Sequence, residues 1–345
     1  MQSKTTLIAL GAVLSLALVA NAQEERDRTT PDGRPSAGVR HAPASNKGLH
    51  QAYTPGDVLV AIGSGEVLEF TPAGVLVQTL NDTSDSTYTA GMAFDNHGNL
   101  YITNFSAGTV SKFDPNGNLV NAVFIAATDQ VHPESISFSP GAVFPVLIGD
   151  ADLHDQNGNG IINQYDENGN LLNSYVVQAE NRGTDWSDLQ PDGQTVLYTS
   201  EGSHILSYNI ATRTQNPPFV SGLPGAYDYA HRTLSSGQFA GDDLVADSSA
   251  ALLTSSVSGI LDTYILPDND GEDFALNLSP DGQSFWTADL ASGEVWQVNI
   301  STGAILNQWN SGYPNSTGGL AIVGERGQGV PPCSNCITTN LNPRR

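Results

Sequence analysis

Residues 89–124 of the chain read TAGMAFDNHGNLYITNFSAGTVSKFDPNGNLVNAVF. Four runs rich in β-branched and aromatic residues lie in this stretch. Clusters of Asp, Asn, Pro and Gly separate the first run from the second and the third from the fourth. Such runs between turn residues predict a small sheet of four antiparallel strands. Because one such sheet cannot bury both of its faces, the pattern requires copies of itself elsewhere in the chain.

Copies of this unit recur at regular intervals. The turn between the first two runs carries a glycine in each copy: Gly98, Gly141, Gly193, Gly237 and Gly282. Successive glycines lie 43, 52, 44 and 45 residues apart, and the long step contains an insertion, HDQNGNG, at 154–160. A period of about 45 residues with four strands per unit is typical of β-propeller blades.

The number of units predicts six blades. Residues 57–80 supply only three strands of a first blade, whereas 318–323 read GGLAIV and look like a first strand with nothing after it. We therefore expect the C-terminal strand to complete the N-terminal blade and close the ring, which leaves only short edges. The other blades are expected at 89–125, 132–178, 183–222, 226–267 and 272–311.

The repeat GMAFDNHGNLYITNFSAGTVSKFDPNGNL, at 91–119, resembles an NHL-type repeat. Over 57–325 the chain is also similar to the wider group of six-bladed propellers that contains gluconolactonases and streptogramin lyases. This resemblance implies an all-β fold of six four-stranded antiparallel blades. It leaves the function open, because propellers of this group include binding proteins and several kinds of enzyme.

The two ends of the chain differ in character from the propeller at 51–325. Residues 1–22 contain Lys4, an apolar run and the small residues Ala-Asn-Ala, which predict a signal peptide cleaved near Ala22. The apolar run is shorter than the roughly 20 residues of a membrane span. Residues 23–50 are predicted to be a disordered polar lead, and 326–345 a flexible tail. We expect a secreted or periplasmic protein without membrane insertion.

Charge separates the propeller from these ends. The net charge is −23, yet of thirteen Lys and Arg only Lys112, Arg182, Arg213 and Arg232 lie between His50 and Glu325. An acidic propeller argues against nucleic acid as a partner, because nucleic acid requires a basic surface. The charge is interpreted either as a means of solubility outside the cell or as a sign of divalent cation binding. We expect a monomer.

Sequence motifs give little evidence for chemistry. No nucleophile elbow, P-loop, zinc-protease helix or dinucleotide fingerprint is present, so no organic cofactor is expected. The two cysteines, Cys333 and Cys336, form a CxxC in the tail. A zinc site would need two further ligands that the tail does not supply, so the pair is expected to have a local structural role or none.

One local motif resembles a calcium loop. The segment DQNGNG at 155–160 continues to Asp166, and it matches the EF-hand pattern at positions one, three, five and six. Asp155, Asn157, Asn159 and Asp166 would supply hard oxygen ligands for Ca²⁺. Asp166 stands where the pattern requires Glu. The alternative interpretation is a hairpin turn rich in Asn and Gly.

A second constellation follows from the predicted fold. In a four-stranded blade the chain enters the first strand and leaves the second on the same face, around the central channel. Acidic groups recur there, and like charges repel unless a cation or protons compensate them. A ligand site is therefore predicted there, with Trp186 and Tyr227 available to stack on a sugar. The ligand-binding candidates are Asp150, Trp186, Glu201, Tyr227, Asp247 and Asp289. The alternative is that the carboxylates cap strands and face water.

The family resemblance implies further roles. In gluconolactonase-like propellers Glu, Asn and Asp hold a divalent metal over the channel, and Glu134, Asn104, Asp185 and Asp228 look like counterparts. Streptogramin lyases use His and Glu on the same face, which Glu134, His132 and His204 resemble in residue type as catalytic candidates.

Two functional hypotheses remain open. The first, which we prefer, is a non-enzymatic module that binds a small molecule, glycan or protein at the channel mouth, with Ca²⁺ or another divalent metal as its cofactor. The second is a metal-dependent lactonase or lyase, in which the metal polarises a carbonyl and an acidic side chain moves the proton.

Overall fold

The computed structural model of the protein describes residues 50–127, 131–269 and 271–325. The predicted signal peptide at 1–22, the lead at 23–49 and the tail at 326–345, with its two cysteines, lie outside the described residues. Within the described ranges no helix is long and apolar enough to cross a membrane.

The described residues form 25 strands and one short 3-10 turn at Phe105–Ala107. The strands are β1 (Val58–Ala61), β2 (Glu66–Phe70), β3 (Leu76–Asn81), β4 (Met92–Phe94), β5 (Leu100–Asn104), β6 (Thr109–Phe113), β7 (Leu119–Ile125), β8 (Pro133–Ser139), β9 (Val143–Asp150), β10 (Asn159–Tyr165), β11 (Leu171–Gln178), β12 (Ser187–Leu189), β13 (Thr195–Tyr198), β14 (His204–Asn209), β15 (Thr214–Gln215), β16 (Val220–Ser221), β17 (His231–Thr233), β18 (Asp243–Asp247), β19 (Ala250–Ser255), β20 (Gly259–Tyr264), β21 (Asp273–Leu278), β22 (Ser284–Asp289), β23 (Glu294–Asn299), β24 (Ile305–Asn310) and β25 (Gly319–Ile322).

These strands make six antiparallel sheets, so the predicted all-β propeller of six blades is confirmed. Blade 1 has the order β25-β1-β2-β3, and blades 2, 3, 5 and 6 are β4–β7, β8–β11, β17–β20 and β21–β24. Blade 4 contains β12, β13 and β14, followed by β15 and β16, which both pair with β14. Its fourth strand is broken because Pro217 and Pro218 have no N–H to donate to the ladder.

The predicted ring closure is also confirmed. Strand β25 pairs antiparallel with β1, with Leu320 opposite Val60 and Ile322 opposite Val58. The first strands contact one another in turn, from β25 to β4, β8, β12, β17, β21 and back to β25. The sheets therefore stand side by side around a common axis, and the last strand of the chain completes the first blade.

Large side chains fill the spaces between blades. Trp186, Trp286 and Trp296 are at most 1% exposed, and the largest apolar cluster joins residues of blades 1, 5 and 6, including Leu320. Burying such side chains stabilises the fold by about 1.5–3 kcal/mol each. The alternating side chains of each strand contact the two neighbouring blades, which explains why a blade requires its copies.

The first strands approach one another closely near the axis. Gly91 donates its N–H to the carbonyl of Glu134 in the next blade at 2.7 Å. A Cβ at Gly91 would clash with that same carbonyl oxygen, and a Cβ at Gly319 would clash with the carbonyl of Ala90. Glycine is therefore required at these two positions of blades 1 and 2.

Candidate functional site

The predicted channel-mouth residues lie on one face of the propeller. Pairing of Pro133 with Asp150, and of Asp273 with Asp289, shows that first strands begin where second strands end. We call this side the entry face, and it is marked by the residues at or just after the ends of the second strands. These residues are Asn104, Asp150, Glu201, Asp247 and Asp289.

Three of these carboxylates fasten the loops that lead into the first strands. Asp150 accepts backbone N–H bonds from Val131 at 2.6 Å, from His132 at 3.2 Å and from Asp152 at 3.1 Å. Asp289 accepts the N–H of Glu272 from the loop before β21 and the N–H of Ser292 from the turn after β22, and Asp247 accepts the N–H of Gly225 from the loop before blade 5. Burial raises the pKa of Asp247 to about 6. The structure thus gives these predicted ligand-binding residues a capping role.

A second set of carboxyl groups lies at or just before the start of the first strands of blades 3 to 6. Glu134, Asp185, Asp228 and Asp273 are each at most 1% exposed. In the described part of the chain, neither oxygen of Glu134 and neither oxygen of Asp185 has a hydrogen-bond partner. Asp228 and Asp273 each use one oxygen, with the Gly202 N–H and the Thr287 hydroxyl, and leave the other unpaired. Buried groups of this kind require a proton or a cation.

Burial governs how these groups ionise. It raises the pKa of Glu134 to about 8, and the carboxylates of Glu201 and Asp150 act in the same direction, while Arg182 opposes them. The pKa of Asp185 is raised well above its ordinary value, first by burial and then by the negative charge of Glu134. At neutral pH Glu134 is therefore largely protonated.

Arg182 lies among these carboxylates. Its Nε is 3.9 Å from Asp185 Oδ1, and its Nη1 is 3.5 Å from Glu201 Oε1. Burial would lower the pKa of Arg182, but the neighbouring acidic groups, led by Glu201, raise it overall. We refer to Arg182, Glu134, Asp185 and Glu201 as the hub cluster. Sequence reasoning missed Arg182 as a site residue, although one signal was present: it is one of four basic residues in an acidic propeller.

Two histidine–carboxylate pairs lie on the entry face. Nδ1 of His132 is 2.8 Å from Asp152 Oδ1, and Nδ1 of His204 is 2.5 Å from Glu180 Oε1. The side chains of both pairs are 21–33% exposed. Because a carboxylate engages Nδ1 in each ring, Nε2 is the nitrogen that could meet a ligand. The structure thus places the predicted catalytic candidates on one face, and it pairs neither histidine with Glu134.

The two aromatic candidates have different surroundings. Trp186 is 1% exposed and its ring packs edge-on against Phe274 at 6.0 Å, so it offers no face to a ligand. The prediction that it lines the channel mouth is therefore wrong, because neighbouring blades enclose its ring. Tyr227 is half-buried, and its ring centre lies 6.0 Å from that of Tyr229.

The predicted metal quartet is only partly brought together. Asn104 turns its amide toward Thr109 and Ser111 at 3.4 and 3.5 Å, on the side of blade 1. Of the described residues, no three His, Cys, Asp or Glu side chains meet in a group that could hold a metal ion. Charge interactions link Asp185 to both Glu134 and Asp228, which makes these three the connected part of the quartet.

The predicted calcium loop consists of two separate turns. Asp155 accepts N–H bonds from Asn157 and Asn159 at 2.8 and 3.2 Å, and its other oxygen accepts the Asn159 amide at 2.9 Å. The same arrangement recurs in the turns that begin at Asp95, Asp114 and Asp166. Strand β10 lies between the two halves of the loop and spans roughly 20 Å. The structure therefore does not bring Asp166 to the first three predicted ligands.

Replacement of Asp155 by Ala is expected to lower the melting temperature by a few degrees, because the turn loses the four hydrogen bonds that the carboxylate accepts. Asp166→Ala removes an equivalent set in a turn of the same form, and we expect a similar loss. The heat of Ca²⁺ binding is measured by titration calorimetry for the wild type and for both variants. A calcium heat that is present in the wild type and Asp166→Ala but absent in Asp155→Ala would refute a purely capping role.

Comparisons with known proteins support the fold. No protein-family model matches the chain, and no curated protein matches it. Among solved structures, a chain from a crystal structure of a nidogen/laminin complex is similar, with a TM-score of 0.58 and 13% identity. The match covers 78% of this chain and 98% of that chain. At this identity the similarity shows the propeller fold alone, and membership of the NHL or gluconolactonase group stays a hypothesis.

Proposed function

We propose that the protein is a binding module that takes a positively charged partner on the entry face. The observation that carries this proposal is the set of buried first-strand carboxylates, Glu134, Asp185, Asp228 and Asp273, with oxygens that lack a hydrogen-bond partner. Around them, Asp152 and Glu180 present partly exposed negative charge. The partly exposed charges attract cationic groups and repel anionic ones, and the buried carboxyl groups can release their protons when a cation binds beside them.

A protein is the partner class that we prefer. The structurally similar chain comes from a nidogen/laminin complex, so a propeller of this form occurs in a complex between proteins. Tyr227 and the pairs of His132 and His204 would supply aromatic and polar contacts around the acidic centre. We also propose export after cleavage near Ala22, which N-terminal sequencing of the mature protein would test by finding Gln23 first.

Neutralising one entry-face charge is expected to weaken the binding of a lysine-rich peptide by about tenfold at low salt. Glu180→Gln provides this change. Glu167→Gln is the matched control, because Glu167 lies in an exposed turn at the opposite end of strand β10 and the net charge changes equally. Binding is measured by calorimetry, with the acetylated peptide as the uncharged probe. Equal affinities of the two variants would contradict an entry-face site.

The second candidate function is a metal-dependent hydrolase or lyase. It is favoured by the raised pKa of Glu134 and by two histidine–carboxylate pairs on the same face, since such groups suit general acid–base chemistry. The proposed cofactor is Ca²⁺ or another divalent cation. Turnover of gluconolactone by the wild type with Ca²⁺, lost in Glu134→Gln, would establish this function in place of simple binding.

A further inference from the structure

The chain enters the propeller on the side opposite the entry face. Strand β1 begins there with Val58, which pairs with Ile322 at the end of β25. We call this side the exit face, and we call residues 51–56, which lead into β1, the strap. Tyr53 is the one buried residue of the strap, at 7% exposure, and the others are half-buried or exposed. The strap is therefore anchored through a single buried side chain.

Gln78 of β3 joins the strap to the interior of the propeller. Its side-chain oxygen accepts the N–H of Gln51 at 3.1 Å, and its amide nitrogen donates to the Gln51 carbonyl at 2.9 Å. The same nitrogen donates to Oε2 of Glu69 at 2.5 Å. The hydrogen bonds that hold the outer end of the strap are thus continuous with those of a carboxyl group in β2.

Two carboxyl groups lie side by side beneath the strap. Glu69 is fully buried, and Asp57, which precedes β1, is 5% exposed. Oε1 of Glu69 has no donor within hydrogen-bond distance among the described residues, and the side chain that neighbours it is the carboxyl group of Asp57. Ionised carboxylates can only accept hydrogen bonds. A proton held between the two groups is therefore what allows both to be buried together.

Tyr53 packs beside this pair without a hydrogen bond of its own. Its ring lies edge-on against Phe94 at 5.4 Å, in an apolar cluster formed by blades 1 and 2. Its hydroxyl has no hydrogen-bond partner in the described part of the chain, although the charge of Glu69 acts on it. The strap thus gains apolar contact but no hydrogen bond from its anchor, so little holds it closed once water can reach the hydroxyl.

The groups that face Glu69 cannot compensate a negative charge on it. Asp57 comes from the segment before β1, Tyr53 comes from the strap, and Asp114 of the turn between β6 and β7 acts on Tyr53 in turn. All three are acidic, and the amide of Gln78 is neutral. Ionised Glu69 is therefore stable only where it meets water.

The protonation of Glu69 depends on whether the strap is closed. In the closed protein, burial raises the pKa of Glu69 from 4.5 to about 7, the hydrogen bond from Gln78 opposes this rise, and the charge of Asp57 adds to it. Burial raises the pKa of Asp57 as well. Because the raised pKa belongs to the closed state, closure is fully favoured below about pH 4.5 and weakens as the pH rises toward 7.

From this arrangement we propose that the strap is a proton-controlled closure, in which a proton shared by Glu69 and Asp57 holds residues 51–56 against blades 1 and 2 and loss of that proton to water releases them. Opening exposes Glu69 and Tyr53 while β1 and β2 stay paired. The device lies on the exit face, so it goes beyond the proposed binding function and does not depend on it.

The first test follows hydrogen exchange in the full-length wild type. The N–H of Gly56, which donates to the Val323 carbonyl at 2.8 Å, reports closure. Its protection factor, corrected for intrinsic exchange, should be about fiftyfold lower at pH 7.5 than at pH 5, as a pKa of about 7 in the closed state and 4.5 in the open state requires. The N–H of Gly169, in an exposed turn of blade 3, is the internal reference. Equal protection of Gly56 at both pH values would overturn the proposal.

Two matched variants assign the effect to Glu69. Glu69→Gln cannot ionise, and its amide can donate to Asp57 as the protonated acid does, so most of the pH dependence of Gly56 protection should be lost. Glu66→Gln removes the same charge from the other end of β2 and should keep the wild-type dependence. A dependence as steep in Glu69→Gln as in the wild type would overturn the proposal.

Proteolysis at one pH gives an independent readout. At pH 8 chymotrypsin should cut the wild type after Tyr53 roughly tenfold or more faster than it cuts Glu69→Gln, because cleavage tracks the population of the open strap. Mass spectrometry identifies the product that begins at Thr54. Equal rates would mean that the strap opens without regard to Glu69, which would overturn the proposal. Binding of the lysine-rich peptide is measured at Glu180 on the other face, so either result leaves the proposed function to its own test.

Discussion

Removal of residues 318–345 is expected to abolish the folded propeller. The truncated chain loses strand β25, in which Leu320 and Ile322 are at most 1% exposed and pair with Val60 and Val58. Burial of these two side chains contributes about 3–6 kcal/mol, and typical domains have only 5–15 kcal/mol of stability in total. Loss of this strand also exposes the edge of β1 and uncovers β4 of blade 2 and β21 of blade 6, which pack against β25. Thermal melting followed by circular dichroism should show no cooperative transition.

A chain that ends at Glu325 is the control. It keeps β25 and the Glu325 carboxylate, which lies 3.2 Å from Nε of Arg232 and accepts the N–H of Leu278 at 3.3 Å. We expect this chain to melt as the full-length protein does. A chain without residues 318–345 that melted cooperatively at the wild-type temperature would contradict closure by the last strand.

Stability is expected to decrease by roughly 4 kcal/mol between about pH 4.5 and pH 8, from the Glu134 carboxyl alone. The folded protein raises the pKa of this group from 4.5 to about 8, mainly by burial. In this interval the folded state holds a proton that the unfolded state has lost, so the free energy of unfolding falls as the pH rises. Asp185, Asp228 and Asp273, whose pKa values are also raised, act in the same direction.

The comparison of Glu134→Gln with the wild type isolates this contribution. Glutamine keeps the shape of the side chain and cannot ionise, so the variant should be more stable than the wild type at pH 8 and should depend less steeply on pH. Glu167→Gln serves as the exposed control. Urea denaturation at several pH values gives the free energies. Parallel pH profiles for all three proteins would show that burial does not hold a proton on Glu134.

The fold was predictable because its information is local and repeated. Each blade carries its own turn glycine and its own alternating strands, so the spacing of Gly98, Gly141, Gly193, Gly237 and Gly282 revealed the blade count. Ring closure was predictable because residues 57–80 supply only three strands of blade 1, and residues 318–323 supply one strand with no blade of its own. The broken outer strand of blade 4 was not predicted, although Pro217 and Pro218 were visible as residues that interrupt a ladder.

The site was less predictable because its chemistry depends on contacts between loops. The sequence indicated which acidic residues stand next to the ends of the second strands and the starts of the first strands. It could not separate Asp150, which caps an incoming loop, from Glu134, which has no hydrogen-bond partner among the described residues. The resemblance of the Asp155 segment to a calcium loop arose from a turn motif that this chain uses at four places.

Arg182 illustrates the same limit. Its position three residues before Asp185 gave no sign that its side chain would lie among carboxyl groups of different blades. Glu134 of blade 3 and Glu201 of blade 4 come close to the Arg182 guanidinium because the two blades stand side by side in the propeller. The signal available in the sequence was the small number of basic residues, because Arg182 is one of only four Lys and Arg between His50 and Glu325.

The most direct test of this account is a carboxyl titration of Glu134 by carbon-13 NMR, assigned by comparison with Glu134→Gln. The account predicts a midpoint near 8 in the wild type and a higher midpoint in Arg182→Ala, which removes the neighbouring positive charge. An ordinary midpoint near 4.5 that is the same in both proteins would mean that the carboxyl is solvated. That result would contradict the claim that Glu134 is a buried, unpartnered carboxyl group in the hub cluster.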